Sequence, residues 1–241
     1  MKNIQESILE YIESENIEIG FISLEKDLQD LSINELKLTL HLLVEISNNY
    51  HRLPAFFTKI EKIIKYFQTT ILQFFPNFEI FSIFQSNKRL MLFLFHEKIL
   101  IPDISIASSI LSDEKKERNY PEYFFPEFEE YFKKLKKRDN FKFEKIRQFY
   151  ETNSDTYEEN RKRGENDNFI CTLIQNDSIE EFDQYVNQTN LFLNTTIKPS
   201  VFETNSFLLD QKNSPTLIEY SAFYGSIQIF KYLFMNNVKL N

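Results

Sequence analysis

Tryptophan is absent from this 241-residue sequence, glycine and histidine occur three times each, and cysteine occurs once. Three glycines leave no room for a Gly-rich phosphate loop, and neither a nucleophile elbow nor a kinase-like motif is present. The single Cys171 rules out an intramolecular disulfide and fits a reducing compartment. His41, His51 and His96 are scattered, with no ligand-spaced cluster of His, Cys, Asp or Glu, so no metal or other cofactor is expected. Long apolar runs are also missing. The longest, residues 90–95, falls far short of the ~20 residues that a membrane helix requires. Residues 1–20 are acidic and lack the continuous apolar centre of a secretory signal. A basic excess is lacking too: 28 Lys and Arg face 36 Asp and Glu, a net charge of −8, which disfavours nucleic acid as the main partner. These absences together predict an intracellular, cytoplasmic chain.

What the sequence does contain is core material. Hydrophobic residues make up 42% and aromatics 16%, with 26 Phe, enough for a folded chain with a substantial interior. Apolar residues recur three and four apart almost throughout, so the expected class is all-α. Residues 4–14 form an amphipathic helix with Ile4, Ile8, Leu9 and Ile12 on one stripe, while residues 15–31 are ambiguous. Ser32-Ile33-Asn34-Glu35 is a capping-box pattern that opens a helix with Leu36, Leu40, Leu43 and Ile46 inward. Pro54 then fits the first turn of a helix running to Phe75, and Pro76 ends it. Residues 77–101 read as a helical hairpin turning at Ser86-Asn87, followed by a short helix over 104–111 and a charged turn over 113–118. Pro121 and Pro126 break the next aromatic stretch and leave helices over 127–137 and 141–150.

Residues 151–168 carry one aromatic, Tyr157, among Asn, Ser, Thr, Glu, Arg and Lys, and are expected to be a polar connector between a helical domain, 1–150, and a second region, 169–241. Arg161-Lys162-Arg163 within it is a candidate protease-sensitive site. The run Lys133 to Arg138 could serve nuclear import or contact an acidic partner. The simpler account is that acids early and bases late in one helix complement its dipole. Past the connector, Asp177-Ser178-Ile179 to Phe182 lies 48 residues before Gly225-Ser226-Ile227 to Phe230, with Ser, Ile and Phe repeated in register. Helices over 169–175 and 179–186 would form the earlier hairpin, and residues 190–212 a long finger or short added helix. Cys171, beside Ile170, Leu173 and Ile174, takes a buried position on this pattern.

The later hairpin, residues 213–241, has two helical patterns separated by Gly225-Ser226. Its segment Thr216-Leu217-Ile218-Glu219-Tyr220-Ser221-Ala222-Phe223-Tyr224-Gly225-Ser226 resembles the ankyrin signature Thr-Pro-Leu-His-x-Ala-Ala-x-x-Gly-His at Thr216, Ala222 and Gly225, with Ile218 at the leucine. Ile229-Phe230 and Leu233-Phe234 stand where that family has Val-Val and Leu-Leu. Leu217, Glu219 and Asn237 depart from its proline, histidine and terminal glycine. With its Ile, Phe, Asn and Lys bias, the chain resembles the N-terminal part of the large divergent ankyrin-repeat families of parasitic protists.

The resemblance implies an irregular helical N-terminal domain followed by two ankyrin-like hairpins, and a non-catalytic protein-protein interaction module. It places partner contacts at Lys212, Asn213 and Pro215 on the turn tip and at Phe223 and Tyr224 on the first helix. Asn241 falls where a repeat's second helix finishes, with nothing after it to cover Leu217, Ile227 and Phe230. The expectation is therefore the start of a longer array, or a shortened member able to self-associate through an open C-terminal end. The competing readings are a small-molecule enzyme with a site among the N-terminal helices and a remnant with no partner.

Overall fold

A computed structural model describes residues 2–49, 55–112, 119–135, 140–205, 208–209 and 214–239. Among them are sixteen α-helices and no strand; one isolated antiparallel bridge joins Thr196 and Thr216. The chain is all-α. It forms two compact units, residues 1–112 with 126–138, and residues 113–125 with 139–241. The division does not fall at 151–168.

In the first unit, α1 (Lys2–Glu13) buries Ile4, Ile8, Tyr11 and Ile12 and packs on α2 (Ile17–Leu28). The Asn16 side chain starts α2 by accepting from the N–H groups of Glu18 and Ile19. Gly20 lets the two helices approach closely, since a Cβ there would stand 2.5 Å from Ser14 Oγ. In α3 (Ile33–Asn49), Ser32 and Glu35 close the expected box: Ser32 N–H donates to Glu35 Oε2 at 2.9 Å, and Glu35 N–H donates back to Ser32 Oγ at 3.4 Å. Leu36, Leu40, Leu43 and Ile46 are all buried.

The long helix expected after Pro54 is two helices, α4 (Phe56–Tyr66) and α5 (Gln68–Phe74). Pro54 itself lies outside the described residues. At Phe67 the backbone reaches φ −90, ψ 1, and its N–H is shared between the carbonyls of Ile63 and Ile64. The ladder tightens there, although the apolar period runs straight through. Lys59 is buried on α4, and its ammonium donates to the carbonyl oxygens of Ile12, at 2.6 Å, and Ser14. A buried cation is tolerable because those carbonyls replace its water. The hairpin over 77–101 is present as α6 (Asn77–Phe84) and α7 (Lys88–His96), with Asn87 capping α7. α8 (Ile104–Ser112) also belongs to this unit.

The second unit begins with α9 (Tyr120–Tyr123). α10 (Phe125–Leu135) lies mostly in the first unit, with Glu127 in its first turn and Lys133 and Lys134 in its last; Lys133 also pairs with Glu129 and Glu130, both at 2.9 Å. Residues 136–138 lie outside the described residues, as does the charged turn 113–118. α11 (Asn140–Thr152) is followed by α12 (Ser154–Arg163), which occupies the stretch expected to be a solvated connector. Tyr157 and Arg161 are 1% and 3% exposed. The Tyr157 hydroxyl donates to the carbonyls of Glu122 and Tyr123 at 2.6 and 2.8 Å, and Arg161 Nη1 donates to the Tyr123 carbonyl at 3.3 Å. Two residues four apart thus give an otherwise polar helix a buried stripe. Gly164 ends it with φ 71, and the Gly164 carbonyl accepts from Thr204 Oγ1 at 2.8 Å.

α13 (Phe169–Gln175) and α14 (Ile179–Thr189) form one hairpin; α15 (Leu217–Tyr224) and α16 (Ile227–Met235) form the other. Between them, the described part of 190–212 is neither a free finger nor a helix. It folds back in extended form, with Ile197 N–H donating to the Pro215 carbonyl at 2.7 Å and Ser200 Oγ to Asp167 Oδ1 at 2.6 Å. Ile197 and Phe202 are buried, and these apolar anchors hold it down.

Candidate functional site

The two hairpins turn in the same way. Gly225 has φ 68 and Asp177 φ 51, and the following serine N–H bonds back to a helix carbonyl in each: Ser226 to Ser221 at 2.9 Å, Ser178 to Leu173 at 3.0 Å. A left-handed residue after the last helical turn lets the chain reverse while satisfying the orphan carbonyls. Asp177 does so at some steric cost, which a short polar side chain reduces.

That cost places a carboxylate where the next hairpin needs one. Asp177 accepts from Gln228 N–H at 3.1 Å and Ile229 N–H at 3.0 Å, capping the N-terminus of α16 from the neighbouring turn. Ser226 Oγ donates in the opposite direction, to the Ile174 carbonyl. Along the second helices, the Tyr232 hydroxyl donates to Asp183 Oδ1 at 2.9 Å, and its ring meets Phe182 edge-on. α13 packs on α15 and α14 on α16 around a shared core that includes Leu173, Phe182, Leu217, Ile218, Ile229 and Leu233. The aspartates are the residues that sequence reasoning missed. Nothing in their composition marks them, because their partners lie about fifty residues away.

Two departures from the ankyrin signature have local explanations. Glu219 closes a capping box, with Thr216 N–H and Oγ1 both donating to its Oε2 at 2.8 Å and Glu219 N–H donating to Thr216 Oγ1 at 3.4 Å. Asn237 takes φ 59, a left-handed conformation that asparagine adopts more readily than other residues with a Cβ.

Of the five expected contact residues, Lys212 and Asn213 lie outside the described residues. Pro215 is buried, with its carbonyl engaged by Ile197. Phe223 is half-buried and packs against the hairpin core rather than standing clear of it. Tyr224 is half-buried as well, its ring 4.7 Å from Tyr220 and 5.2 Å from Phe223. The structure therefore brings Phe223 and Tyr224 together at the edge of the core, and Ala222 is the exposed position beside them. Leu217, expected to be uncovered, is fully buried.

Behind this edge lies a buried polar cluster. Gln175 Nε2 donates to the Tyr220 hydroxyl at 2.9 Å. Burial pushes the Cys171 thiol up to about 12, opposed in part by a hydrogen bond with Tyr220. Burial likewise raises Tyr220 and, aided by the negative charge of Glu203, Tyr224. A thiol held protonated in this way is a core group, not a nucleophile. Glu203 is buried too, and its Oε1 accepts from Asn205 N–H at 2.7 Å. Among the described residues no three of His, Cys, Asp and Glu gather as a metal site, and no helix is long and apolar enough to cross a membrane. His41 and Glu45 are exposed on α3.

No protein-family model, curated protein or solved structure matches the chain.

Proposed function

We propose that this chain is a non-catalytic protein-binding module whose two helical hairpins stack in ankyrin-like fashion and present their edges for recognition. The observation that carries the reading is the Asp177 cap on α16: consecutive turns sit in register, one supplying the acceptor for the other's helix. Stacked hairpins built this way form a fixed surface, so a partner need not wait for the surface to order. The contact edge comprises Phe223 and Tyr224 on α15, with Ala222 exposed beside them. Half-buried aromatics held by a core suit this role, because little side-chain entropy is lost when they are covered.

The test is site-specific photo-crosslinking. A benzophenone side chain replaces Ala222, exposed beside this edge, or Leu38, exposed on α3 of the first unit. In extracts of the source cell, a discrete protein adduct from Ala222 and none from Leu38 supports the reading. Adducts from Leu38 alone move recognition to the first unit, and none from either removes the module reading.

A further inference from the structure

A second surface in the same unit points to a particular kind of partner. On α16, Tyr232 faces α14, as its contacts with Asp183 and Phe182 fix. At ~100° per residue, Phe230 and Phe234 lie two residues to either side, on the opposite flank; Phe230 is half-buried against the hairpin core and Phe234 is exposed. Their rings stack at 6.4 Å and 9°. Ile227 is 61% exposed, Phe234 65% and Met235 80%, a contiguous apolar stripe over a nine-residue helix. Isolated exposed apolar residues need no explanation, but a stripe at helical spacing on a packed helix does.

This stripe is not a repeat of the face that joins the two hairpins. The 48-residue register places Gly225 opposite Asp177 and Lys231 opposite Asp183. Both carboxylate acceptors that tie the first hairpin to the second are therefore missing from the second, one replaced by a hydrogen atom and the other by a cation. Another hairpin of this kind would find no cap for its second helix and an ammonium in place of a carboxylate.

Charge indicates what would fit instead. Residues 221–241 contain no Asp or Glu and two lysines, Lys231 and Lys239, in a chain of net charge −8. Asp177 and Asp183, the carboxylates bonded to α16, are engaged on the α14 side. We infer that the Ile227, Phe230, Phe234 and Met235 stripe, with Lys231 beside it, docks an amphipathic helix whose apolar face is flanked by carboxylates. The apolar stripe supplies the contact area, and Lys231 and Lys239 select charge and orientation. An anionic lipid surface is disfavoured, because two lysines fall short of the cluster of several basic residues by which proteins bind such a surface.

The inference rests on the protein-binding reading and is tested on the full chain with synthetic peptides. One is a helical peptide with Leu at positions i, i+3, i+4 and i+7 flanked by Glu; the other has the same leucines flanked by Lys. Fluorescence anisotropy is expected to show the Glu peptide binding more tightly, weakened at least about tenfold by Phe234→Ser. Lys231→Glu is expected to reverse the preference. Both substitutions are at exposed positions, and circular dichroism checks their helicity. Equal affinity for the two peptides, binding indifferent to Phe234→Ser, or no binding overturns the inference. So does partition onto phosphatidylserine vesicles, or a dimer in sedimentation lost with Phe234→Ser, when the Glu peptide does not compete. If the peptide assay fails while Ala222 still crosslinks, the α16 surface is wrong and the module reading stands; if both fail, both fall.

Discussion

Both carboxylate oxygens of Asp177 lie 3.1 Å from the backbone nitrogen of Gln228, so the turn of one hairpin completes the helix of the next. The two hairpins should consequently lose stability together when this cap is removed. Asp177→Gly deletes the carboxylate while keeping the left-handed turn comfortable, and is expected to cost about 1 kcal/mol. Asp177→Ala loses the same cap and adds about 1–2 kcal/mol of left-handed strain at φ 51. Urea denaturation of the two variants is the check, and a Gly variant less stable than the Ala variant would contradict this account of the turn.

Alkaline pH should weaken the second unit. Burial raises Cys171 from an ordinary 9.0 to about 12 and raises Tyr220 and Tyr224 as well. Between pH 9 and 12 the unfolded chain has released the thiol proton that the folded chain retains. Fewer protons are then bound in the unfolded state, so stability falls as pH rises through this window and is unaffected by this group below pH 9. Urea midpoints measured at pH 7, 9 and 10.5 should decline only between the last two, less steeply in Cys171→Ala. Alkylation of the folded protein at pH 8 should be slow and become fast in urea.

The helix Ser154–Arg163 should resist proteolysis. Trypsin under native conditions is expected to spare the bond after Arg161, because that side chain is buried and α12 is tied to the Glu122 and Tyr123 carbonyls by Tyr157. Tyr157→Phe removes the hydroxyl donor from the Glu122 and Tyr123 carbonyls, the latter keeping Arg161 Nη1, and should cost about 1–3 kcal/mol, raising the cleavage rate. Rapid cleavage of the wild type at Arg161 would return this stretch to a flexible connector.

Lys59 should anchor the first helix of the chain. Lys59→Met keeps much of the buried stem but removes the donor to the Ile12 and Ser14 carbonyls, at an expected cost of about 1–3 kcal/mol. Hydrogen exchange is the sharper readout: amides of α1 should lose protection more than those of α6 and α7. A uniform loss would mean that the lysine supports the whole unit rather than this junction.

Much of the helical layout is legible locally. The Ser32–Glu35 box, Pro76 after α5, and the bounds of α13 at Phe169 and Gln175 follow from caps, breakers and a period of 3.6, all properties of neighbouring residues. The 48-residue echo between Asp177 and Gly225 correctly marks two turns of one geometry. α2 has a local start in the Asn16 cap, but its course was not legible because it depends on the close approach of Gly20 to Tyr11 and Ser14. The candidate contact edge was legible only in part: α15 carries Phe223 and Tyr224 as expected, but their burial depends on the packing of the shared hairpin core.

The sequence alone determined an all-α chain, its hairpin turns and an acidic charge balance, because propensity, capping and charge act over a few residues or over the whole composition. Only tertiary structure decided that residues 154–163 form a helix anchored by the buried Tyr157 and Arg161, and that Asp177 caps a helix about fifty residues ahead. It likewise decided that Leu217 is covered while Phe234 is not. Burial and long-range hydrogen bonding depend on what arrives from elsewhere in the chain, and no local pattern carries that information.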